Sequence, residues 1–206
     1  MLYRFIKRLF DIICGLIGLV FLIPITIIVK IAYMCTGDFH RVFFLQERIG
    51  KNGKLFKIIK YRTMVVDAED ELVRLMEKNP KIKIEYENNK KITNDPRITK
   101  AGRIVRRFSI DEMPQFLNVL IGQMSIVGNR PYLPGEKRDM GKYFDSVVKT
   151  KPGITGLWQV SGHNEVPFKS RVELEATYSD IAGFSTDIKI IIRTFKAVFW
   201  KQSKRV

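Results

Sequence analysis

The stretch Ser109-Ile110-Asp111-Glu112-Met113-Pro114-Gln115-Phe116-Leu117-Asn118-Val119-Leu120 places two adjacent carboxylates ahead of a short apolar run. Proline lacks an N–H and its ring clashes with the carbonyl four residues back, so Pro114 belongs in a first turn. The helix is therefore expected to begin near residues 109–111. Asp111 and Glu112 then sit at its positive end, where free N–H groups favour an anion, whether carboxylate or phosphate. The same residues also read as a capping box, Ser109-x-x-Glu112, and for this stretch alone the cap is the stronger reading. What alters the balance is the basic and glycine-rich sequence on either side.

The 36 Lys and Arg against 21 Asp and Glu leave a formal charge of +15, which points to an anionic partner: nucleic acid, phospholipid head groups or a phosphorylated small molecule. Residues 1–36 hold four basic side chains and one acid, so a surplus of twelve belongs to residues 37–206. Cys14 and Cys35 lie in or beside an apolar run and read as small buried hydrophobes, which fits a reducing compartment. His40 and His163 are the only histidines, so one chain cannot assemble a Cys/His zinc centre.

From Ile12 to Val29 there are 18 residues without a charge, the lower limit for a membrane-crossing helix. At 1.5 Å per residue this is about 27 Å, slightly short of a hydrocarbon core of roughly 30 Å. Pro24 frees the carbonyl near Val20 and is expected to bend or break the helix there. Arg4, Lys7 and Arg8 on one flank are matched by Lys30, Arg41 and Arg48 on the other, so the positive-inside rule does not choose an orientation. A segment that enters, breaks at Pro24 and returns satisfies both flanks; a Pro-kinked span stays open as the alternative.

Further along, Val42–Leu45 and Leu55–Tyr61 read as two strands joined by the turn Gly50-Lys51-Asn52-Gly53. Residues 67–78 read as an amphipathic helix, and residues 79–95 as an exposed loop. Arg97, Arg103, Arg106 and Arg107 lead into the carboxylate pair; as a cluster they suit a phosphate clamp, because Arg presents a planar fork to oxyanions. After the apolar helix come a strand-like run ending at Gly128-Asn129-Arg130-Pro131 and the loop Lys151–Gly162, whose glycines and Trp158 suit backbone lying close to a nucleotide. Near the end, Ile188, Ile191, Ile192, Phe195, Val198 and Phe199 form a helical stripe that fits either a membrane interface or the domain core, followed by the basic Lys204-Arg205 tail.

Taken in order, Lys7-Arg8-x-Phe10-Asp11, the proline-broken apolar helix, Phe56-Lys57-Ile58-x-Lys60-Tyr61-Arg62-Thr63-Met64, Asp95-Pro96-Arg97, Ser109–Glu112, Asn118-Val119-Leu120 and Pro152-Gly153-Ile154-Thr155-Gly156 resemble the bacterial sugar transferase family, in particular its small monotopic phosphoglycosyl transferases. The resemblance covers almost the whole chain. It implies a mainly helical α+β fold: a re-entrant helix-break-helix hairpin over residues 1–36, broken at Pro24, and a small cytoplasmic catalytic domain over residues 37–206 with interfacial amphipathic helices. It also implies transfer of a sugar 1-phosphate from a UDP-sugar to undecaprenyl phosphate, releasing UMP, at the cytoplasmic face of the bacterial inner membrane among anionic phospholipids, as a first step of surface glycan synthesis. Asp111 is then the nucleophile and a ligand of Mg²⁺, and Glu112 helps activate the lipid phosphate. Phosphate- or substrate-binding roles fall to Lys60, Arg62, Arg97, Arg106, Arg130, Thr155, Gly156 and His163. Nucleic acid is not expected as a partner, and a homodimer is admitted.

Two positions depart from the family pattern. Gly-Pro-Arg-Pro is here Gly128-Asn129-Arg130-Pro131, and the Arg of Ser-Gly-Arg-Asn is here His163, a weaker phosphate ligand when neutral. UDP-glucose or UDP-galactose is the expected donor, by likeness to hexose-transferring members that share Leu157–Gly162. The competing classes are a membrane-tethered nucleic-acid-binding protein, which the net charge alone allows, and a catalytically silent scaffold of the same fold.

Overall fold

The computed structural model describes residues 2–161 and 166–203. In chain order the elements are α1 (Leu2–Cys35), β1 (Phe43–Ile49), β2 (Leu55–Tyr61), α2 (Ala68–Lys78), α3 (Pro80–Asn89), α4 (Lys100–Arg107), α5 (Gln115–Leu120), β3 (Ser125–Val127), α6 (Lys137–Met140), α7 (Phe144–Val147), β4 (Gly153–Thr155), α8 (Leu157–Val160), α9 (Phe168–Ile181) and α10 (Phe184–Ser203). The chain is thus mainly helical with two small two-stranded sheets, β1-β2 and β3-β4, as expected for an α+β protein. Compactness divides it into two units. One holds residues 1–17, 46–58 and 115–206; the other holds residues 18–45 and 59–114.

The break expected at Pro24 is absent: α1 is helical from Leu2 to Cys35 with the proline inside. Beside the proline, Thr26 Oγ1 donates back to the Leu22 carbonyl at 2.6 Å, a local bond of the kind that accompanies bends in helices. It is the one helix among the described residues long and apolar enough to cross a membrane, and only 22 % of its most apolar window is buried. Leu16, Ile17, Val20, Phe21, Ile23, Ile27 and Ile28 are all more than half exposed, an apolar surface unlike that of a helix in a soluble core.

In the first unit, the opening turns of α1 are fastened by the charges of the Lys-Arg-x-Phe-Asp motif. Arg8 donates to the carbonyls of Val119 and Leu120 at 2.7 and 2.6 Å, capping the negative end of α5. Buried Asp11 accepts from Ser125 Oγ and the Ile126 N–H, which ties α1 to β3. Asn118, fully buried, donates to the Lys57 carbonyl and to Gln123 Oε1, so the Asn-Val-Leu motif joins α5 to β2. β3 and β4 run parallel with Ser125 opposite Gly153 and Val127 opposite Thr155. Here the glycines have a packing reason: a Cβ on Gly128 would lie 2.2 Å from the Lys151 carbonyl oxygen, and one on Gly156 would lie 2.2 Å from that of Gly128. One apolar cluster gathers Phe56, Ile58, Val119 and Met124; another gathers Ile49, Tyr132, Met140, Val147, Phe168, Val172 and Ala176.

α10 presents Ile190 to the core with Val127 and Tyr178, while Ile188, Ile192 and Phe195 of the expected stripe are 40, 49 and 62 % exposed. The stripe is therefore mainly a solvent- or lipid-facing surface, with Ile191 at its edge packed against the core. The side chains of Val198 and Phe199 and the Lys204-Arg205 tail lie outside the described residues.

In the second unit, Leu22, Val29 and Tyr33 of α1 are buried, and Thr26 Oγ1 meets Tyr61 Oη of β2 at 2.6 Å. The region read as a loop over residues 79–95 instead contains α3. The signals were local: Asn79 accepts from the Lys81 N–H, Pro80 occupies the first helical turn, and Lys90 closes the helix in the left-handed conformation. Neither α2 nor α3 contains a buried residue, so charge patterning described them better than burial did.

Candidate active site

Asp111 and Glu112 do not lie in the first turn of α5. They occupy a 3₁₀ turn, Ile110–Glu112, that ends before Pro114, because a residue without an N–H cannot carry the bonding onward. Nor does the capping box form: Ser109 is in the left-handed conformation (φ 55°) and its side chain makes no cap bond. The carboxylates are left for other partners. Lys60 Nζ, from the end of β2, lies 3.2 Å from Glu112 Oε1. Arg106, in the last turn of α4, faces Asp111 electrostatically and is held by a 2.7 Å bond from its Nε to Thr63 Oγ1.

Burial raises the pKa of Asp111, the neighbouring Glu112 raises it further, and Lys60 and Arg106 pull it back down. A carboxyl whose negative charge is under-solvated is a better nucleophile once ionised, and two flanking cations keep ionisation within reach.

The remaining arginines of this unit divide by what they hold. All three guanidinium nitrogens of Arg97 are engaged, two on Asp95 (2.9 and 2.6 Å) and one on the Ala68 carbonyl (3.0 Å). Burial alone would raise the Asp95 carboxyl, but Arg97 holds it below the usual range, so Asp-Pro-Arg makes a buried clasp. Arg62 is likewise spent on the carbonyls of Arg41 and Met64 and on both oxygens of Asp38. Lys60 and Arg106 are thus the sequence-predicted cations brought to the carboxylate pair.

Arg130, Thr155 and Gly156 belong to the other unit. The Arg130 N–H donates to Glu175 Oε1 at 2.7 Å, and its guanidinium lies 5.8 Å from the centre of the Trp158 ring; Arg171 lies 5.2 Å from the same ring. Thr155 Oγ1 shares a hydrogen bond with Thr194 Oγ1. His163 lies outside the described residues. Sequence reasoning missed Arg171 and Glu175, although their i,i+4 spacing on one helix was a signal for a paired face.

Asn129, which replaces the family's proline, gives its amide to the Val147 carbonyl and to Ser179 Oγ at 2.9 and 2.7 Å. Asn129→Ala should cost about 1–3 kcal/mol, read as a lower thermal midpoint, because a buried carbonyl loses its donor. Glu175 is fully buried, and desolvation pushes its carboxyl up to about 8 despite Arg130 and Arg171. With the folded value above the usual 4.5, its stabilising contribution is complete below about pH 4.5 and is lost as pH rises through 8. At about 1.4 kcal/mol per tenfold change, that loss is at most about 5 kcal/mol. Chemical denaturation between pH 5 and 9 should show wild type weakening and Glu175→Gln flat; parallel curves would count against a neutral Glu175.

Among the described residues, no three His, Cys, Asp or Glu side chains gather into a metal-binding group. Asp111 and Glu112 offer the one or two carboxylates with which Mg²⁺ is ordinarily held when phosphates complete its shell, so the donor set fits a metal shared with a diphosphate.

Comparison with known proteins defines the class. The family model for bacterial sugar transferase matches residues 2–201, and the chain belongs to that family. It is 40 % identical over 195 residues to the undecaprenyl-phosphate galactose phosphotransferase of Salmonella typhimurium, covering 95 % of this chain and 40 % of that protein. It is 36 % identical to the UDP-glucose:undecaprenyl-phosphate glucose-1-phosphate transferase of Klebsiella pneumoniae (91 and 39 % covered), and 35 % identical to the exopolysaccharide production protein ExoY of Sinorhizobium fredii (93 and 84 % covered). The chain therefore spans about two fifths of the length of the first two relatives and more than four fifths of the third.

Proposed function

We propose that the chain transfers a sugar 1-phosphate from a UDP-sugar to undecaprenyl phosphate, with glucose or galactose as the sugar. The observation that carries this reading is the carboxylate pair Asp111-Glu112 in a short turn, with Lys60 on Glu112 and Arg106 facing Asp111. In the first step a carboxylate oxygen of Asp111 attacks the sugar-bearing phosphorus. The anhydride bond breaks, UMP leaves with its electron pair, and an acyl phosphate carrying the sugar remains. In the second step an oxygen of undecaprenyl phosphate attacks the same phosphorus and the acyl–phosphate bond breaks. Asp111 returns to its starting state, and the product is a lipid-linked diphosphosugar. Glu112 steers the incoming lipid phosphate and accepts any proton it carries. Lys60 and Arg106 supply fixed positive charge where negative charge gathers on the phosphoryl oxygens. Mg²⁺, held by Asp111 with Glu112 beside it, would neutralise the diphosphate.

We place the site at the cytoplasmic membrane surface, with α1 entering the bilayer, bending at Pro24 within its continuous helical run, and returning to the side it came from. Contacts within one unit support this path. Arg8 and Asp11, near the start of α1, bond to residues 119–126, and Arg48 and Lys57, beyond its end, bond to Pro131 and Asn118 of the same C-terminal body. A helix that crossed the bilayer would deliver those two sets of residues to opposite faces.

The test is intact-mass and peptide mass spectrometry of the chain in detergent, incubated with UDP-glucose or UDP-galactose alone and Mg²⁺. A phosphohexose adduct on Asp111 is the expected result. Turnover with undecaprenyl phosphate without any such adduct, under matched quenching, would sink the two-step reading.

A further inference from the structure

A second basic site is built wholly from residues of the first unit. A cavity of about 710 Å³ is walled by Arg4, Lys7 and Arg8 of α1, by Lys51 of the β1–β2 turn, and by Lys149 and Lys151 before β4. Its volume is that of a small-ligand pocket. The one acid on its wall, Asp11, spends its carboxylate on Ser125 and Ile126. Two of the cations are occupied: Lys7 by Asp187 and the Val127 carbonyl, Arg8 by the end of α5. Lys149 reaches Asp180 only at 3.9 Å in an exposed pair, an interaction of little worth.

The side chains of Arg4, Lys51 and Lys151 make no hydrogen bond or ion pair among the described residues. Lys151 is the telling member. Its Nζ and the Arg8 Nη2 each lie 3.6 Å from the position a Cβ on Gly122 would take, so two cations stand side by side with no carboxylate paired to Lys151. Burial first, then Arg8, push the Lys151 ammonium below its ordinary value; Asp11 opposes that push, and Lys51 and Lys7 add to it. Like charges gathered around a concavity cost free energy until an anion enters it.

The surroundings choose the kind of anion. The α1 turns that bring Arg4, Lys7 and Arg8 to the cavity carry Leu2, Phe5 and Leu9 with 72, 70 and 50 % of their surfaces exposed. A ligand joining a phosphate to acyl chains satisfies both surfaces at once, whereas a free phosphate satisfies only the cations. We propose that this cavity binds the phosphate of an anionic phospholipid head group, as a discrete lipid site of the first unit.

The experiment uses the full chain in neutral detergent, titrated with dioctanoyl phosphatidylglycerol, dioctanoyl phosphatidylcholine and inorganic phosphate, with binding read by native mass spectrometry and thermal shift. Phosphatidylglycerol should bind at least tenfold more tightly than phosphatidylcholine. That preference should fall at least tenfold in the triple variant Arg4→Gln, Lys149→Gln, Lys151→Gln, and persist in Lys149→Arg, Lys151→Arg, whose retained binding separates lost charge from lost folding. Equal affinity for the two lipids, or an undiminished preference in the folded Gln variant, would overturn the site. Binding of inorganic phosphate without phosphatidylglycerol would overturn the lipid assignment in favour of a soluble anion.

Discussion

Asp111→Asn should lower UMP release from a UDP-sugar by roughly a thousandfold or more, the scale on which loss of a covalent nucleophile is felt. The replacement has nearly the same shape but carries no negative charge and no attacking oxygen of comparable strength. Arg106 would then face a neutral amide while Lys60 keeps Glu112, so donor binding should survive or strengthen while turnover vanishes. That split distinguishes a lost nucleophile from a collapsed site: the KM for donor stays near wild type and kcat falls. Glu112→Gln should behave differently. With Asp111 intact the first displacement proceeds, so a single burst of UMP and a trapped adduct are expected, with slow discharge to the lipid. An Asp111→Asn enzyme turning over at the wild-type rate would leave the carboxylate pair without its assigned chemistry.

The second large effect is expected at a residue with no side chain to offer the reaction. Gly102 lies in α4 where the helix meets the chain at Thr63, and a Cβ added there would stand 2.0 Å from the Thr63 carbonyl oxygen and 2.7 Å from its carbon. The obstacle is backbone, which cannot rotate away. Thr63 is also fixed from two other directions: its carbonyl accepts the Thr99 N–H at 3.1 Å, and its hydroxyl holds Arg106. Gly102→Ala should therefore push α4 off its seat, costing about 3 kcal/mol of stability and moving Arg106 by enough to cut kcat by about a hundredfold. Thermal unfolding and steady-state kinetics check the two halves separately. A wild-type midpoint together with a wild-type rate would mean that the contact relaxes at no cost.

Local chemistry in the sequence was readable wherever one residue dictated the backbone. The β1–β2 pair followed from its Gly-Lys-Asn-Gly turn, although β1 runs on to Ile49 where the reading stopped at Leu45, and α2 followed from its charge pattern. Long-range partners were not readable. Ser109 seemed a cap because Glu112 follows it at the right spacing, yet Glu112 meets Lys60 from a strand 52 residues away, and spacing within one segment cannot report that. Arg97 and Arg62 seemed free to grip phosphate because a linear sequence does not reveal that Asp95 and Asp38 already hold them. The glycines around residue 153 pointed to a nearby nucleotide, when two backbones crossing at 2.1 Å from a would-be Cβ were reason enough. Pro24 signalled a bend or a break, and the helical run of α1 continues through it, since proline removes one bond and leaves the decision to whatever packs around it.

The fastening of Asp11 to Ser125 also sets a schedule for biogenesis. Their partnership spans 114 residues, so a ribosome adding about 5–20 residues per second makes the first wait roughly 6–23 seconds for the second. During that interval the most apolar segment of the chain is complete while Lys7, Arg8 and Asp11 have nothing to bind. Nascent α1 must therefore reach lipid or a chaperone before its own docking surface exists, and mutations that slow elongation through residues 36–125 should show as lost yield of inserted protein, with the specific activity of the survivors unchanged.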